Sequence, residues 1–313
     1  MNLTGVLNPI PTPFDSSDQV DLVRLRATLR RWLTTPLTGF VILGSTGEAA
    51  LLDEVESDKV VAEARAVVPR DRTFIVGTGR ESTRGAIDAT KRAAALGAEA
   101  ALVRTPGFYK GQMTTDAFVR HYTAVADASP VPVLLYNFTA VTGVTIPVEA
   151  VAALSAHSNI AGMKESNGDL PRIAELVAAV PREFQVIAGS ASTFLDALGA
   201  GAAGGILALA AALPEPCVTL LGLARSGQTA DARALQDRLL PLAKFFSARH
   251  GIAGLKAGLT LLGYDAGRPR PPLVPLTDAA AVLELTQLLA PFAEAGPDGP
   301  AQQRHEASAH VAS

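Results

Sequence analysis

The stretch NIAGMKESNGDLPRIAELVAAVPREFQVIAGS, residues 159–190, contains two short apolar runs separated by a segment with helical spacing. The runs at 159–166 and 185–190 are short and largely apolar, which is typical of parallel strands covered on both faces. The segment at 169–179 repeats its apolar residues with a helical period. The stretch therefore predicts a strand, a helix and a second parallel strand, with Lys164 at the end of the first strand.

The same alternation of strands and helices runs through the first two thirds of the chain. Further strands are predicted at 5–9, 39–44, 73–79, 100–106, 131–137 and 204–210. Helices are predicted between strands at 53–67, 82–96, 115–128, 147–155 and 192–199. Eight parallel strands with a repeat of roughly 25–30 residues fit an α/β fold, a (β/α)8 TIM barrel. An open doubly wound sheet is the structural alternative.

The pattern changes near residue 225, where the predicted strands stop. We expect residues 1–225 to form the barrel and residues 226–295 to form a C-terminal helical extension. Helices in the extension are predicted at 229–249, 251–263 and 278–293. Residues 296–313 contain few apolar side chains, which predicts a disordered tail.

Composition argues against several classes of function. The net charge is −3, with 48% hydrophobic and 18% charged residues, and no basic, aromatic-rich surface for nucleic acid is evident. No run of about 18 apolar residues predicts a membrane span, and we expect no secretory signal. Cys217 is the single cysteine, and the histidines lack metal-binding spacing. We therefore expect a cytoplasmic protein that acts on small molecules, without a metal.

Lys164 and Tyr136 end two predicted strands that are neighbours in barrel order, and active sites of such barrels lie at the carboxyl ends of the strands. A buried ammonium group costs free energy unless it is paired or used chemically. Burial disfavours the charged form, and an uncharged amine can attack a ketone to give an imine. A nearby phenol can relay protons. The alternatives are a lysine that reaches the rim or pairs with a carboxylate, and an ordinary tyrosine at a strand end.

The loop GSTGEAAL, residues 44–51, follows the second predicted strand and precedes a helix that Asp53 and Glu56 are expected to cap. Ser45 and Thr46 offer hydroxyl and backbone N–H groups, which suit a small carboxylate. An ordinary loop cap is the alternative.

Five motifs in this order resemble those of a known family: GSTGE, YNFTAVTG, GMKESNGD, AGS and GAAGGI. Over about residues 5–290 the chain resembles the dihydrodipicolinate synthase / N-acetylneuraminate lyase family of pyruvate-dependent class I aldolases. The resemblance implies a (β/α)8 barrel with a C-terminal helical region and a homotetramer built as a dimer of dimers. It also implies that no metal or organic cofactor is used.

The resemblance further implies roles for individual residues. Lys164 would form a Schiff base with pyruvate or another 2-oxo acid, and Tyr136 would relay the proton. Four other positions match those that bind the substrate in this family. Ser45 and Thr46 match the residues that hold the pyruvate carboxylate, and Gly189 and Ile206 match backbone positions that line the lysine pocket.

The chain departs from the family pattern at two places. Dihydrodipicolinate synthases carry an arginine before the TG of the tyrosine motif, which holds the carboxylate of aspartate semialdehyde. Here that position is Val141, which cannot bind a carboxylate, and the usual proline of the motif is Thr139. The tyrosine that the family borrows from a neighbouring subunit matches Phe108, so we consider the adjacent Tyr109 as its substitute.

Among relatives, the sequence most resembles 4-hydroxy-2-oxoglutarate aldolases and the related 2-keto-3-deoxy-sugar-acid aldolases. Ser166 matches a hydroxyl of that branch and is expected to contact the aldehyde half of the substrate, or else to cap the helix near Asp169. Arg104, Lys110 and Asn167 are candidates to hold a distal carboxylate.

The expected reaction is cleavage of 4-hydroxy-2-oxoglutarate to glyoxylate and pyruvate. A 2-keto-3-deoxy-sugar-acid aldolase or dehydratase and a 4-hydroxy-tetrahydrodipicolinate synthase are alternatives that use the same chemistry. A barrel that binds an oxo acid without turnover is the alternative from a different class.

Overall fold

The computed structural model describes residues 3–293. Its eight parallel strands form a closed barrel in chain order, with β8 returning to pair with β1. The strands are β1 Val6–Pro9, β2 Gly39–Ile42, β3 Thr73–Gly77, β4 Ala100–Arg104, β5 Val133–Asn137, β6 Ile160–Glu165, β7 Gln185–Ala188 and β8 Gly204–Ile206. The predicted (β/α)8 barrel is confirmed and the open sheet is wrong. The tail predicted at 296–313 lies outside the described residues.

Helices surround the barrel and continue beyond it. Those between the strands are α1 Leu22–Leu33, α2 Glu54–Val67, α3 Thr83–Ala95, α4 Thr115–Ala128, α5 Thr139–Thr142, α6 Val148–Leu154, α7 Leu170–Ala179 and α8 Phe194–Gly199. Those after β8 are α9 Leu209–Ala212, α10 Pro214–Arg225, α11 Thr229–Lys244, α12 Gly251–Leu261 and α13 Ala279–Ala293. A π-helical turn, Phe245–Arg249, follows α11. Nowhere in residues 3–293 is a helix both long and apolar enough to cross a membrane.

The eighth strand is shorter than predicted. The apolar run at 204–210 forms a strand only as far as Ile206, and α9 begins three residues later. A short apolar run fits a strand and a buried helix equally well, so its periodicity alone could not separate the two.

Capping residues fix where the helices begin. The predicted capping box of α2 is confirmed, because Glu56 N donates to Asp53 Oδ1 at 2.8 Å and Asp53 N donates to Glu56 Oε2 at 3.1 Å. Helix α7 is capped by Asp169, whose Oδ1 accepts from Arg172 N at 3.2 Å. Ser166 does not cap this helix, so its hydroxyl is available for another role.

The core has two layers, because successive residues of each strand point to opposite sides. The inner cluster fills the barrel and includes Leu7, Val41, Ile75, Leu102, Leu134, Tyr136, Ile187 and Ile206. The larger outer cluster lies between the strands and the helices, and the buried apolar side chains of α10 to α13 belong to it. Helix α11 packs on α8 and α10, and the domain boundary predicted at residue 225 stays a prediction.

Strand β6 contains an irregularity that the sequence did not predict. Val133 pairs with Ile160 but Leu134 pairs with Gly162, so Ala161 is an extra residue in this strand. Ile160 therefore belongs to the outer cluster, whereas strict alternation of side chains along the strand would place it on the same face as Lys164.

Gly162 allows β6 and β7 to approach each other closely. A Cβ atom at this position would overlap the carbonyl oxygen of Gln185 on β7. Close approach of the neighbouring strand therefore requires glycine here.

Candidate active site

Lys164 and Tyr136 lie side by side at the carboxyl end of the barrel. They are register partners on β6 and β5, and only 5% of Lys164 and 4% of Tyr136 is exposed. The Lys164 Nζ lies 4.4 Å from the centroid of the Tyr136 ring. The structure thus places the two residues that sequence reasoning favoured most in one buried pocket.

The lysine has no carboxylate partner in the described part of the chain. Among residues 3–293 no Asp or Glu oxygen lies within 4.0 Å of the Lys164 Nζ. The adjacent Glu165 points to the outer side, where it pairs with Arg172 Nε at 2.9 Å. An ammonium group over an aromatic face is favourably placed, which helps to explain how the pocket holds the lysine. The alternatives of a paired lysine and of a lysine at the rim are both wrong.

The loop after β2 brings a hydroxyl to the tyrosine. Ser45 Oγ lies 3.2 Å from the Tyr136 hydroxyl, and Thr46 is buried beside it. The loop folds back in tight turns, in which Gly47 N donates to Gly44 O at 3.0 Å. Within the described residues the backbone N–H groups of Ser45 and Thr46 donate to no protein acceptor. Free N–H groups beside hydroxyls form a suitable site for a carboxylate.

The end of β7 closes the lysine pocket. Gly189 N donates to Glu165 O at 2.7 Å, and a Cβ atom on Gly189 would overlap Ser166 Oγ and lie 2.9 Å from Lys164 Cε. The Ser166 hydroxyl is buried and has no hydrogen-bond partner within residues 3–293. Ile206 is fully buried in the inner cluster with Tyr136. Gly189 and Ser166 therefore lie beside the lysine, whereas a contribution of Ile206 to its surroundings stays a prediction.

Two of the three candidates for a distal carboxylate are already occupied. Asn167 accepts from Thr139 N at 2.9 Å and donates to its hydroxyl at 3.0 Å. Arg104 pairs with Glu81 at 2.7 Å.

Lys110 is the third candidate, and it is exposed. Its Nζ lies 2.6 Å from where a Cβ on Gly143 would be. In the described part of the chain, no carboxylate lies within 4.0 Å of this Nζ. Lys110 therefore carries a positive charge beside the turn that contains the exposed Val141.

Tyr109 lies away from the buried pocket in this chain. Its side chain is 71% exposed, and its ring meets Phe108 edge-on with centroids 5.1 Å apart. Glu81 holds this loop, because its Oε2 accepts from Gly107 N and Phe108 N, each at 2.9 Å. Burial alone would raise the pKa of Glu81, but the hydrogen bonds from Arg104 and the two N–H groups hold it below its ordinary value. A contribution of Tyr109 across a subunit boundary stays a prediction.

Sequence reasoning missed the polar network behind the pocket. Asn137, which follows Tyr136, donates to Glu165 Oε2 at 2.9 Å and accepts from Ile146 N at 2.9 Å. Arg172 completes the network through its ion pair with Glu165. The signal in the sequence was a polar residue directly after each of the two candidate residues, in the pairs YN and KE. No group of three His, Cys, Asp or Glu side chains in residues 3–293 is arranged to hold a metal ion.

Comparison with known proteins gives a consistent result. The model of the dihydrodipicolinate synthetase family matches residues 2–290. A 4-hydroxy-tetrahydrodipicolinate synthase from Exiguobacterium is 36% identical over 291 residues, which cover 93% of this chain and 98% of the relative. An Emericella nidulans protein named "Probable 4-hydroxy-2-oxoglutarate aldolase, mitochondrial" is 33% identical over 286 residues, covering 90% of this chain and 92% of the relative.

A solved structure shows the same fold. The chloride-inhibited dihydrodipicolinate synthase from Acinetobacter baumannii, complexed with pyruvate, superposes with a TM-score of 0.86 and 30% identity. The match covers 91% of this chain and 97% of that one. These relatives favour an enzyme over a barrel that only binds an oxo acid. The chain therefore belongs to the dihydrodipicolinate synthetase family of pyruvate-dependent aldolases, and it is an enzyme of the lyase and synthase type.

Proposed function

We propose that this enzyme is a Schiff-base aldolase that cleaves 4-hydroxy-2-oxoglutarate to pyruvate and glyoxylate. One observation carries the proposal. The buried Lys164 amine has no carboxylate partner within the described residues, and it lies against a buried phenol that contacts a serine hydroxyl. An amine without a salt bridge is free to act as a nucleophile once it loses its proton.

The first step joins the enzyme and the substrate. The Lys164 nitrogen attacks the C2 carbonyl carbon, and the carbonyl oxygen leaves as water, which gives a protonated imine. The C1 carboxylate is held by the Ser45 hydroxyl and the free N–H groups of Ser45 and Thr46. This anchoring would hold C2 within reach of the lysine nitrogen, whose side chain has room beside Ser166 because residue 189 is glycine.

The second step breaks the C3–C4 bond. Tyr136 gives its phenol proton to the oxygen that leaves as water in the first step, so its phenolate can now take the proton from the C4 hydroxyl. The electron pair of the C3–C4 bond then moves into the protonated imine to form an enamine. Glyoxylate leaves as the aldehyde product. The enamine is then protonated at C3, and water hydrolyses the resulting imine to pyruvate and the free Lys164 amine.

Lys110 supports a substrate whose far end carries a carboxylate. No carboxylate in residues 3–293 pairs with its Nζ, which lies beside Gly143 at the end of the turn of Val141, where dihydrodipicolinate synthases have an arginine. We propose that Lys110 attracts the distal carboxylate of 4-hydroxy-2-oxoglutarate. The Emericella relative supports this substrate through its name.

A second candidate function is supported by hydroxyl groups near Gly168, in the loop that follows β6. Ser190 and Thr193 oxygens lie 3.1 and 3.2 Å from where a Cβ on Gly168 would be. Thr193 Oγ1 and Ser166 Oγ are buried and have no partner within residues 3–293. Such hydroxyls suit a polyhydroxylated aldehyde, so a 2-keto-3-deoxy-sugar-acid aldolase or dehydratase is the second candidate.

A substrate panel separates the candidates. Release of pyruvate is measured from 4-hydroxy-2-oxoglutarate and from 2-keto-3-deoxy-sugar acids, and condensation of pyruvate with aspartate semialdehyde tests the synthase. We expect the highest kcat/KM for 4-hydroxy-2-oxoglutarate, and Lys110→Met should raise KM for that substrate. A higher kcat/KM for a sugar acid would support the second candidate. Turnover that persists in Lys164→Ala would contradict the proposed mechanism.

We also propose that the enzyme works without a metal or organic cofactor and assembles as a homotetramer. The exposed Phe108–Tyr109 pair supports a subunit interface at the loop after β4. Full activity is expected after dialysis against EDTA. Light scattering is expected to give a mass near four times the 32.4 kDa of one chain, and a monomer would contradict the assembly.

A further inference from the structure

A second buried lysine lies behind the active-site loop. Lys256 on α12 places its Nζ 2.6 Å from Glu48 Oε1, and both side chains are only 1% exposed. The same Nζ donates to Thr12 O at 2.7 Å and to Arg268 O at 2.9 Å. Burial lowers the pKa of Lys256, although the charge and hydrogen bond of Glu48 oppose that shift. Glu48 lies only two positions after Thr46 in the loop that carries Ser45.

The backbone of this loop is strained at two positions. Leu43 has a φ of 57° and Glu48 a φ of 56°, in the left-handed region that side chains other than glycine rarely adopt. Such conformations persist only where the surrounding structure holds them. The loop, defined here as residues 43–52, therefore needs attachments outside itself to keep its shape.

Most of these attachments come from the C-terminal region. Arg270 N donates to Glu48 Oε2 at 2.8 Å, and the Arg270 guanidinium donates to Leu51 O at 2.8 Å and to Glu56 Oε2 at 2.7 Å. From the barrel side, the Thr12 hydroxyl donates to Gly47 O at 2.6 Å. Both carboxylate oxygens of Glu48 are thus engaged by groups that follow β8 in the sequence.

We propose that Glu48 and Lys256 are positioning residues, a buried ion pair through which α12 holds the loop of residues 43–52 in the conformation that binds the keto-acid carboxylate. Loss of either partner leaves the other charge buried and unpaired, so the loop moves to release it. The free N–H groups of Ser45 and Thr46 then lose their alignment. The identity of the ligand rests on the proposed function, but the attachment of the loop does not.

The test uses the full-length enzyme with Lys256→Met and the double variant Glu48→Gln/Lys256→Met. In the double variant no charge is left unpaired, so it is expected to fold if the single variant does not. Arg65→Met is the matched control, because Arg65 is largely buried and pairs with Glu99 at 3.3 Å, away from the loop.

Two readouts separate positioning from general destabilisation. Hydrogen exchange of the amides in residues 43–52 is expected to rise by about tenfold or more in both Lys256 variants and to stay unchanged in the control. The pyruvate concentration for half-maximal borohydride trapping at Lys164 should rise by about tenfold, with the control unchanged.

The outcomes distinguish the two proposals. If the wild-type enzyme traps no pyruvate, the proposed function fails, and the exchange data still decide the role of the pair. Wild-type exchange in the loop of the double variant would overturn the positioning role. An equal rise in exchange in Arg65→Met would also overturn it, because the effect would then reflect lower overall stability.

Discussion

Replacing Tyr136 by phenylalanine removes one oxygen atom from the centre of the pocket. That oxygen has Ser45 Oγ as its partner at 3.2 Å, and a typical hydrogen bond of this kind stabilises the fold by about 0.5–1.5 kcal/mol. If the phenol relays the proton, its loss lowers kcat by about 10²–10⁴-fold. At 1.36 kcal/mol for each tenfold change, this is about 2.7–5.4 kcal/mol in the activation barrier. The increase in the activation free energy should therefore be several times larger than the decrease in the free energy of unfolding.

Tyr122 provides a matched control for this experiment. Its side chain is also fully buried, and its hydroxyl donates to Val103 O at 3.2 Å on the outer side of the barrel. Burial raises the pKa of Tyr122, so the phenol stays neutral. Tyr122→Phe should cost a similar amount of stability but change kcat less than about twofold.

The assay couples pyruvate release to a dehydrogenase and compares kcat with the free energy of unfolding in urea. Ser45→Ala and the double variant with Tyr136→Phe complete a cycle, and we expect the two effects on kcat/KM to be less than additive. An unchanged kcat in Tyr136→Phe would remove the phenol from the mechanism. An equal loss of rate in Tyr122→Phe would show that the effect arises from stability.

Three further predictions address the surroundings of the pocket. Gly189→Ala should lower kcat and destabilise the fold by about 1–3 kcal/mol, because the new methyl group overlaps Ser166 Oγ; urea unfolding and pyruvate release check both effects. Arg172→Leu leaves Glu165 buried without its partner, so unfolding should require about 3–5 kcal/mol less, and a change below 1 kcal/mol would contradict this. Burial lowers the pKa of His121 from 6.5 to about 4, so the unfolded chain binds a proton before the folded chain does as the pH falls. As the pH falls from 6.5 to about 4, the free energy of unfolding should therefore decline by about 3 kcal/mol. Urea unfolding at these two pH values should show that His121→Gln lacks this part of the decline.

The sequence was sufficient to find the residues whose positions follow from strand ends. Lys164 and Tyr136 were chosen from the rule that barrel strands deliver functional groups at their carboxyl ends, and the structure pairs them at two neighbouring strand ends. Their catalytic roles stay a prediction. The extra residue at Ala161 was not predictable in this way, because a register shift depends on how two distant strands align.

Polar contacts between residues far apart in the sequence could not be predicted either. Nothing in the local pattern connects Glu48 with Lys256, because the pair forms only when α12 folds back over the loop after β2. Asn167 was a reasonable candidate to bind the distal carboxylate of a substrate. In the structure its side-chain amide is already hydrogen-bonded to Thr139, which follows the neighbouring strand β5. The sequence shows the chemical type of a side chain. Whether that side chain is free to bind a substrate depends on hydrogen bonds and ion pairs with residues of other helices, strands and loops.

Borohydride reduction in the presence of pyruvate tests the central claim most directly, because it converts an imine at Lys164 into a stable adduct. The peptide that contains Lys164 should carry the mass of a reduced pyruvyl group, and Lys164→Ala should carry none. Lys256, which is equally buried but paired with Glu48, serves as an internal control and should stay unmodified. A wild-type enzyme that releases pyruvate yet forms no adduct at Lys164 would contradict the account.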